Sequence, residues 1–256
     1  MNKNVLITGS TSGIGLGIAE AFARNGDNIV FNGLEENGAE IAAEIGTKYG
    51  VKTAFKNSNL MTPEGVQELV DFAYSELGSV DILVNNAGIQ YVSKIEDFPL
   101  EKYQQIIALS MNAVFYASRA VFKKMKEQKF GRIINVSSVH GIRASEFKSA
   151  YVTAKHGVIG LTKVLALEGA EFDVTCNAIC PGYVKTPLVE GQIKDQAKTH
   201  QMSEDEVVEK VMLKKQAVKS FVPVEKLGEI AVFLSAENAT TVSGSVFTLD
   251  GGWSAQ

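Results

Sequence analysis

Apolar residues in this chain fall into two patterns. Short continuous runs predict buried strands, and longer stretches with apolar positions every three or four residues predict amphipathic helices. Strands are predicted at Val5–Thr8, Asn28–Phe31, Lys52–Lys56, Ile82–Asn85, Arg132–Val136, Val174–Ile179 and Ser245–Leu249. Between them, helices are predicted over Leu16–Arg24, Glu36–Tyr49, Leu100 to about Gln128 and Glu225–Leu234, with one more carrying Tyr151 and Lys155. Thr62 followed by Pro63 reads as a cap with proline in the first turn, opening a helix through Leu77. Such alternation implies a parallel sheet with helices on both faces. Right-handed crossovers make it doubly wound, so a Rossmann-like α/β fold with seven strands is expected, as one domain over residues 1–256. Residues 187 to about 222 break the rhythm. They are polar, and Ser203 with Glu206 forms a capping box, so a small helical lid is expected there.

Composition narrows the function classes. The 256 residues carry a formal charge of −4, which excludes a broad nucleic-acid surface. No apolar run approaches the ~20 residues that span a bilayer. The N-terminus enters a strand directly, without the pattern of a signal peptide. Cys176 and Cys180 would lie ~13 Å apart on one strand, too far for a disulfide, and have no ligand partners at metal spacing. Two free thiols suit a reducing compartment, so a cytoplasmic protein with no membrane or nucleic-acid partner and no metal is expected.

The chemistry gathers where strands end. Gly9, Gly13 and Gly15, with Thr11, Ser12 and Ile14, form a turn between the first strand and first helix. Backbone N–H groups and a positive helix end at that turn suit a pyrophosphate. Asn32-Gly33 ends the second strand, where a dinucleotide fold meets the adenosine ribose. No Lys or Arg lies between Asn25 and Thr47, and Glu35 and Glu36 would repel a 2′-phosphate, so NAD is expected rather than NADP. Asn59-Leu60 follows the third strand and is a candidate to meet the adenine. After the fourth, the small residues of Asn86-Ala87-Gly88 let backbone approach a cofactor, and Gln90 projects at the same edge. Tyr151 and Lys155 share a helical face, with Lys148 one turn earlier. An ammonium beside a phenol favours the phenolate, making an acid/base group that works near neutrality. Ser138 and His140 sit just past the fifth strand.

Together these motifs resemble the short-chain dehydrogenase/reductase family over essentially the whole chain: Thr8-Gly9-x-x-x-Gly13-Ile14-Gly15, Asn85-Asn86-Ala87-Gly88, Asn112, Ser138, Tyr151-x-x-x-Lys155 and Pro181-Gly182-x-x-x-Thr186. The resemblance implies that Tyr151 is the general acid/base and that Ser138 positions the substrate oxygen. It implies that Lys155 tunes Tyr151 and holds the nicotinamide ribose, and that Asn112 holds a relay water. Thr186 would meet the carboxamide, beside Pro181, Gly182 and Val184. Asn59 departs from the aspartate many members carry there. A narrower match, through Ser138-Val139-His140-Gly141, Cys180-Pro181-Gly182-Tyr183-Val184 and the ending from Asp250, is similar to members acting on a small hydroxy acid. It implies that Gln90, His140, Lys148 and Gln192 bind the substrate carboxylate, with Trp253 as pocket wall or subunit contact. The implied reaction is reversible oxidation of D-3-hydroxybutyrate to acetoacetate with NAD, in a homotetramer. The competing expectation is reduction of a 3-oxoacyl thioester or another neutral ketone.

Overall fold

The computed structural model describes residues 2–186, 189–191, 193–194, 197 and 201–255. Gln192 and His200 therefore lie outside the described residues. Seven parallel strands form one sheet in the order β3-β2-β1-β4-β5-β6-β7. They are β1 (Asn4–Ile7), β2 (Asn28–Asn32), β3 (Thr53–Lys56), β4 (Ile82–Asn85), β5 (Gly131–Val136), β6 (Val174–Pro181) and β7 (Val246–Leu249). Strand order reverses between β1 and β4, and a crevice opens there beyond the carboxyl ends.

The helices are α1 (Gly13–Arg24), α2 (Gly38–Tyr49), α3 (Pro63–Leu77), α4 (Leu100–Ile107), α5 (Ala113–Glu127), α6 (Ser149–Gly169) and, after the lid, α7 (Val224–Ser235). They bury two cores, one on each face of the sheet. One joins Ile18 and Phe22 of α1 and Leu227 of α7 to Val5 and Ile7. The other joins Leu69 of α3 and Val121 of α5 to Leu6 and Leu83. Alternate strand residues thus feed opposite cores, which is why the central strands read as unbroken apolar runs. The expected cap of α3 is present: Thr62 Oγ1 accepts from the Gly65 N–H at 3.1 Å.

Two expectations change. The helical region predicted from Leu100 to about Gln128 is unbroken over Leu100–Glu127, but residues Ala108–Asn112 within it form a π-helical turn that separates α4 from α5. The extra residue per turn shifts the faces of the two halves, a feature that frequently marks functional sites. Asn112 ends that turn and is half-buried rather than enclosed in an apolar setting. In the lid, the Ser203–Glu206 capping box is present, yet it opens only one α-turn, Glu204–Val207. A π-turn over Val208–Met212 and a 3-10 turn over Leu213–Lys215 follow. Residues 189–191 and 193–194 are also helical.

A polar network runs through the second core. Asn85 Nδ2 donates to Asn135 Oδ1 at 2.8 Å, and Asn135 Nδ2 donates to Thr162 Oγ1 at 2.9 Å. The register that pairs Asn85 with Asn135 across β4 and β5 makes the first contact. Thr162 brings α6 into the chain. Buried polar groups are tolerated when mutually satisfied and costly when one partner is lost. Replacing Asn135→Leu should lower unfolding free energy by about 2 kcal/mol or more, because Asn85 and Thr162 each lose a buried partner. Urea unfolding followed by circular dichroism measures it.

Candidate active site

A cleft of about 500 Å³ lies along the carboxyl edge of the sheet. It gathers the glycine turn, the ends of β2, β3 and β4, the segment after β5, the first turns of α6 and the loop after β6. Of the described residues proposed from the sequence, Gly15 and Asn112 are not on its wall.

At the cofactor end, the glycine turn is fixed by the loop after β4. Asn86 Nδ2 donates to the carbonyls of Thr8 and Gly9, at 3.1 and 2.8 Å. Thr8 Oγ1 accepts from the N–H groups of Asn86 and Ala87, at 2.9 and 3.1 Å. Gly9 has φ +60°, a conformation that favours glycine. Gly15 is required by contact rather than by φ, since a Cβ there would stand 2.1 Å from the Gly9 carbonyl oxygen. Gly15 thus shapes the turn from behind. Thr11, Ser12, Gly13 and Ile14 face the cleft, with Thr186 against Gly13 on the far side.

Asn32 is buried and turned into the turn itself. Its Oδ1 accepts from the Gly9 N–H at 3.3 Å, and its Nδ2 donates to the Lys56 carbonyl at 3.0 Å. The carboxylate at this end is that of Glu35, which accepts from Thr11 Oγ1, from Ser12 Oγ at 3.1 Å and from the Leu34 N–H at 3.0 Å. Burial alone would raise its pKa, but these hydrogen bonds together hold it below the usual carboxylate range. Asn59 and Leu60 line the adjoining wall, as does Ser58, whose buried hydroxyl has no partner. An unpaired buried polar atom facing a cavity is what a polar ligand would satisfy. The glycine cradle, the fixed carboxylate and this hydroxyl fit a dinucleotide.

At the other end, Lys155 is buried and donates from Nζ to the Val136 carbonyl at 2.8 Å. Its Nζ lies 5.6 Å from the Tyr151 ring centroid. Burial pushes the Lys155 ammonium down to about 8 and the Tyr151 phenol up to about 12, the latter opposed by a hydrogen bond from Ser138. The sequence expectation was a phenol lowered by its lysine. In the free protein desolvation dominates instead, because both groups lose water while 5.6 Å separates the ammonium from the ring. Ser138 Oγ lies 3.3 Å from His140 Nδ1. Gly88 closes over Lys155, beside the buried Ser110.

Lys148 is not within the helical stripe. It is the residue before α6, with φ −119° and ψ 30°, so its side chain leaves from a cap and not from the helix face. It still reaches the same cleft, where burial and the Lys215 charge push its pKa down to about 8. Tyr183, absent from the sequence assignment, forms the opposite wall. Its ring stacks on Trp253 at 6.1 Å, and Trp253 meets His140 edge-on at 5.2 Å. Asp250 accepts from the N–H groups of Gly252 and Ser254, and this turn brings Trp253 inward. Gln90, Pro181, Gly182 and Val184 complete the wall. Buried Gln216, missed in the sequence, ties the lid to this wall: its Oε1 accepts from the Tyr183 N–H at 3.2 Å.

Known proteins match this chain over most or all of its length. The family model described as short chain dehydrogenase matches residues 3–197. A protein of Rhizobium meliloti named D-beta-hydroxybutyrate dehydrogenase is 46% identical over 100% of both chains. One of the same name from Cupriavidus necator is 46% identical over 99% of this chain and 98% of its own. The solved L-sorbose reductase of Gluconobacter frateurii, complexed with NADPH and L-sorbose, superposes with a TM-score of 0.93 at 32% identity, over 98% and 96% of the two chains. A family model matched over residues 3–197 and relatives 46% identical along the whole chain show that this chain belongs to the short-chain dehydrogenase family.

Proposed function

We propose that this chain is an NAD-dependent dehydrogenase interconverting D-3-hydroxybutyrate and acetoacetate. The observation that carries the reading is a cation, Lys148, set in the same cleft as Ser138, Tyr151 and Lys155. A small substrate held there is best an anion whose oxidisable carbon lies near Tyr151. The names of the two relatives matched end to end support carrying their substrate over.

A nicotinamide cofactor, when bound, supplies the hydride acceptor or donor. It would be held by the glycine turn, Asn59, Leu60, Asn86-Ala87-Gly88, Lys155 and the 181–186 loop. In oxidation Tyr151 takes the hydroxyl proton, and in reduction its phenol returns it. Ser138 donates to the same oxygen. Lys155 passes the proton outward to a water that Asn112, at the end of the π-turn, would hold. Lys148, His140 and Gln90, with Gln192, fix the carboxylate, so that the reacting carbon stays aligned. His140 and Trp253 border that space. Glu35 supports NAD over NADP, because its carboxylate would face a 2′-phosphate.

Association into a homotetramer is part of the same proposal. The groove between α5 and α6 exposes Phe115, and Val164 and Leu167 of α6 are exposed as well, which suits a second copy. Among the described residues no helix is long and apolar enough to cross a membrane. We take the cytoplasm as its place.

The test is absorbance of reduced nicotinamide on mixing enzyme with D-3-hydroxybutyrate, its L isomer or a neutral 3-hydroxy ester, with NAD or NADP. Reduction of NAD by the D acid alone is expected. Activity with the ester and none with the acid would transfer the reading to a neutral carbonyl substrate. Glu35→Ala should raise kcat/KM for NADP relative to NAD by at least about tenfold, since a like-charge contact is removed. Lys148 is cationic below about pH 8 and loses its charge above it. KM for the hydroxy acid should therefore rise roughly tenfold per pH unit above that point. Comparison with the neutral ester isolates Lys148 from the titration of Lys155, and Lys148→Ala should show the high KM at every pH.

A further inference from the structure

We propose that Ser110, rather than Asn112, is the residue through which the π-turn serves Lys155: its hydroxyl clamps the backbone of Ile89 and stands beside the Lys155 ammonium, where the relay water would be held. The proposal rests on the dehydrogenase reading above and moves one task within it, from Asn112 to Ser110, as a positioning residue.

Ser110 lies in the middle of the Ala108–Asn112 turn and is fully buried. Its Oγ accepts from the Ile89 N–H at 3.2 Å and donates to the Ile89 carbonyl at 3.4 Å. One hydroxyl thus meets both backbone polar groups of the residue that follows the Asn86-Ala87-Gly88 segment of the cleft wall. A hydroxyl has one hydrogen and two lone pairs. The hydrogen and one lone pair go to Ile89, and the second lone pair is left.

Gly88 shows what stands beside it. A Cβ added there would lie 3.3 Å from Ser110 Oγ and 3.6 Å from Lys155 Nζ. The hydroxyl and the ammonium therefore flank one point, and glycine keeps a side chain out of it. Lys155 gives one N–H to the Val136 carbonyl, and an ammonium has three. A water between the two groups can accept from Lys155 and donate to Ser110. In oxidation Lys155 passes a proton to that water and regains one from Tyr151, and the water passes its own on toward solvent.

Residues two apart on a helix do not face each other, so the face that presents Ser110 to Gly88 and Ile89 does not present Asn112. The turn is also anchored to the helix that carries Lys155. Ile106 packs with Ala150 and Ala154 of α6, and Met111 and Ile89 lie against the same cluster. Gly157 of α6 leaves room for Met111, since a Cβ there would stand 2.7 Å from its Sδ. This packing, with the extra residue of the π-turn, sets how far Ser110 stands from Lys155. Neither Ser110 nor Asn112 lines the cleft, so Ser110 acts through Gly88, Ile89 and Lys155, which do.

Ser110→Ala removes the clamp and the acceptor together. Its kcat should fall about ten- to a hundredfold, part of the ~10²–10⁴ that positioned proton transfer contributes. KM for the hydroxy acid should stay nearly unchanged, opposite to Lys148→Ala. The solvent deuterium isotope effect on kcat should rise, because proton transfer becomes the slower step. Ser110→Thr keeps a hydroxyl and should restore both. Asn112→Ala should cost less in kcat than Ser110→Ala. In the free enzyme, hydrogen–deuterium exchange of the segment around Ile89 should quicken in Ser110→Ala, because the Ile89 N–H loses its acceptor. If Ser110→Ala does not fold, Ser110→Cys carries the same test, since a thiol is a weaker donor and acceptor of similar shape. Wild-type kcat and isotope effect in the Ser110 variant, unchanged exchange at Ile89, or a larger loss in Asn112→Ala overturns the proposal. Exchange is read without substrate, and kcat is compared on whichever alcohol the wild-type enzyme oxidises. Failure of the hydroxybutyrate reading therefore appears separately, in the wild-type assay.

Discussion

The hydrogen bond from the Lys155 ammonium to the last carbonyl of β5 is the constraint on which the site depends. It is buried, and a buried ammonium is tolerated only with partners. A second bond, from Ser137 Oγ to the Lys155 carbonyl at 3.1 Å, ties the same turn of α6 to the same strand end. Helix and strand are thereby locked in one register. That register sets Tyr151 against Ser138, whose segment follows directly from β5. The same burial that fixes these groups shifts both pKa values, raising the phenol and lowering the ammonium. Position and protonation tendency thus have one physical origin, the exclusion of water beneath the first turns of α6.

The cofactor end is built differently, from backbone. Thr8, Asn86 and Asn32 use their side chains to hold main-chain atoms of the glycine turn and its neighbours. Side-chain hydrogen bonds there serve the shape of the cradle, which leaves backbone N–H groups for a phosphate. Glu35 and the buried Ser58 add side-chain polar groups to the cleft wall there. The substrate end is aromatic and cationic: Tyr183 and Trp253 form a wall, and Lys148 lies 5.8 Å from the Tyr183 ring centroid. The lid closes its base against this wall, where the Val222 N–H donates to the Tyr183 carbonyl at 2.8 Å.

Much of this was legible in the chain because it is local. Apolar runs located all seven strands to within two residues at each end, and Thr62-Pro63 located the start of α3. Glycines spaced between a strand and a helix located the turn that opens α1 and lines the cleft. Tyr151 and Lys155, four apart, were legible as one face because α6 is regular there. The failures also have reasons. The π-turn at Ala108–Asn112 adds a residue to one turn within a helix that is otherwise regular, which apolar periodicity does not single out. Lys148 was taken as helical because spacing cannot tell a cap from a first turn. The direction of the Asn32 side chain, toward Gly9 and Lys56, is not legible because position on a strand end does not say which way a side chain turns.

By itself, then, the sequence determined the order of strands and helices, the edge on which the chemistry lies and the residue types that carry it. Those follow from short-range periodicity and from the handedness of crossovers. Tertiary structure alone decided what depends on distances between segments far apart in the chain. It brought Glu35 back onto Thr11 and Ser12, turned Asn32 inward, stacked Tyr183 on Trp253 and set Lys215 on Ser145, 70 residues away. It also decided the protonation tendencies, because desolvation is a property of the packed site and has no counterpart in the residue alone.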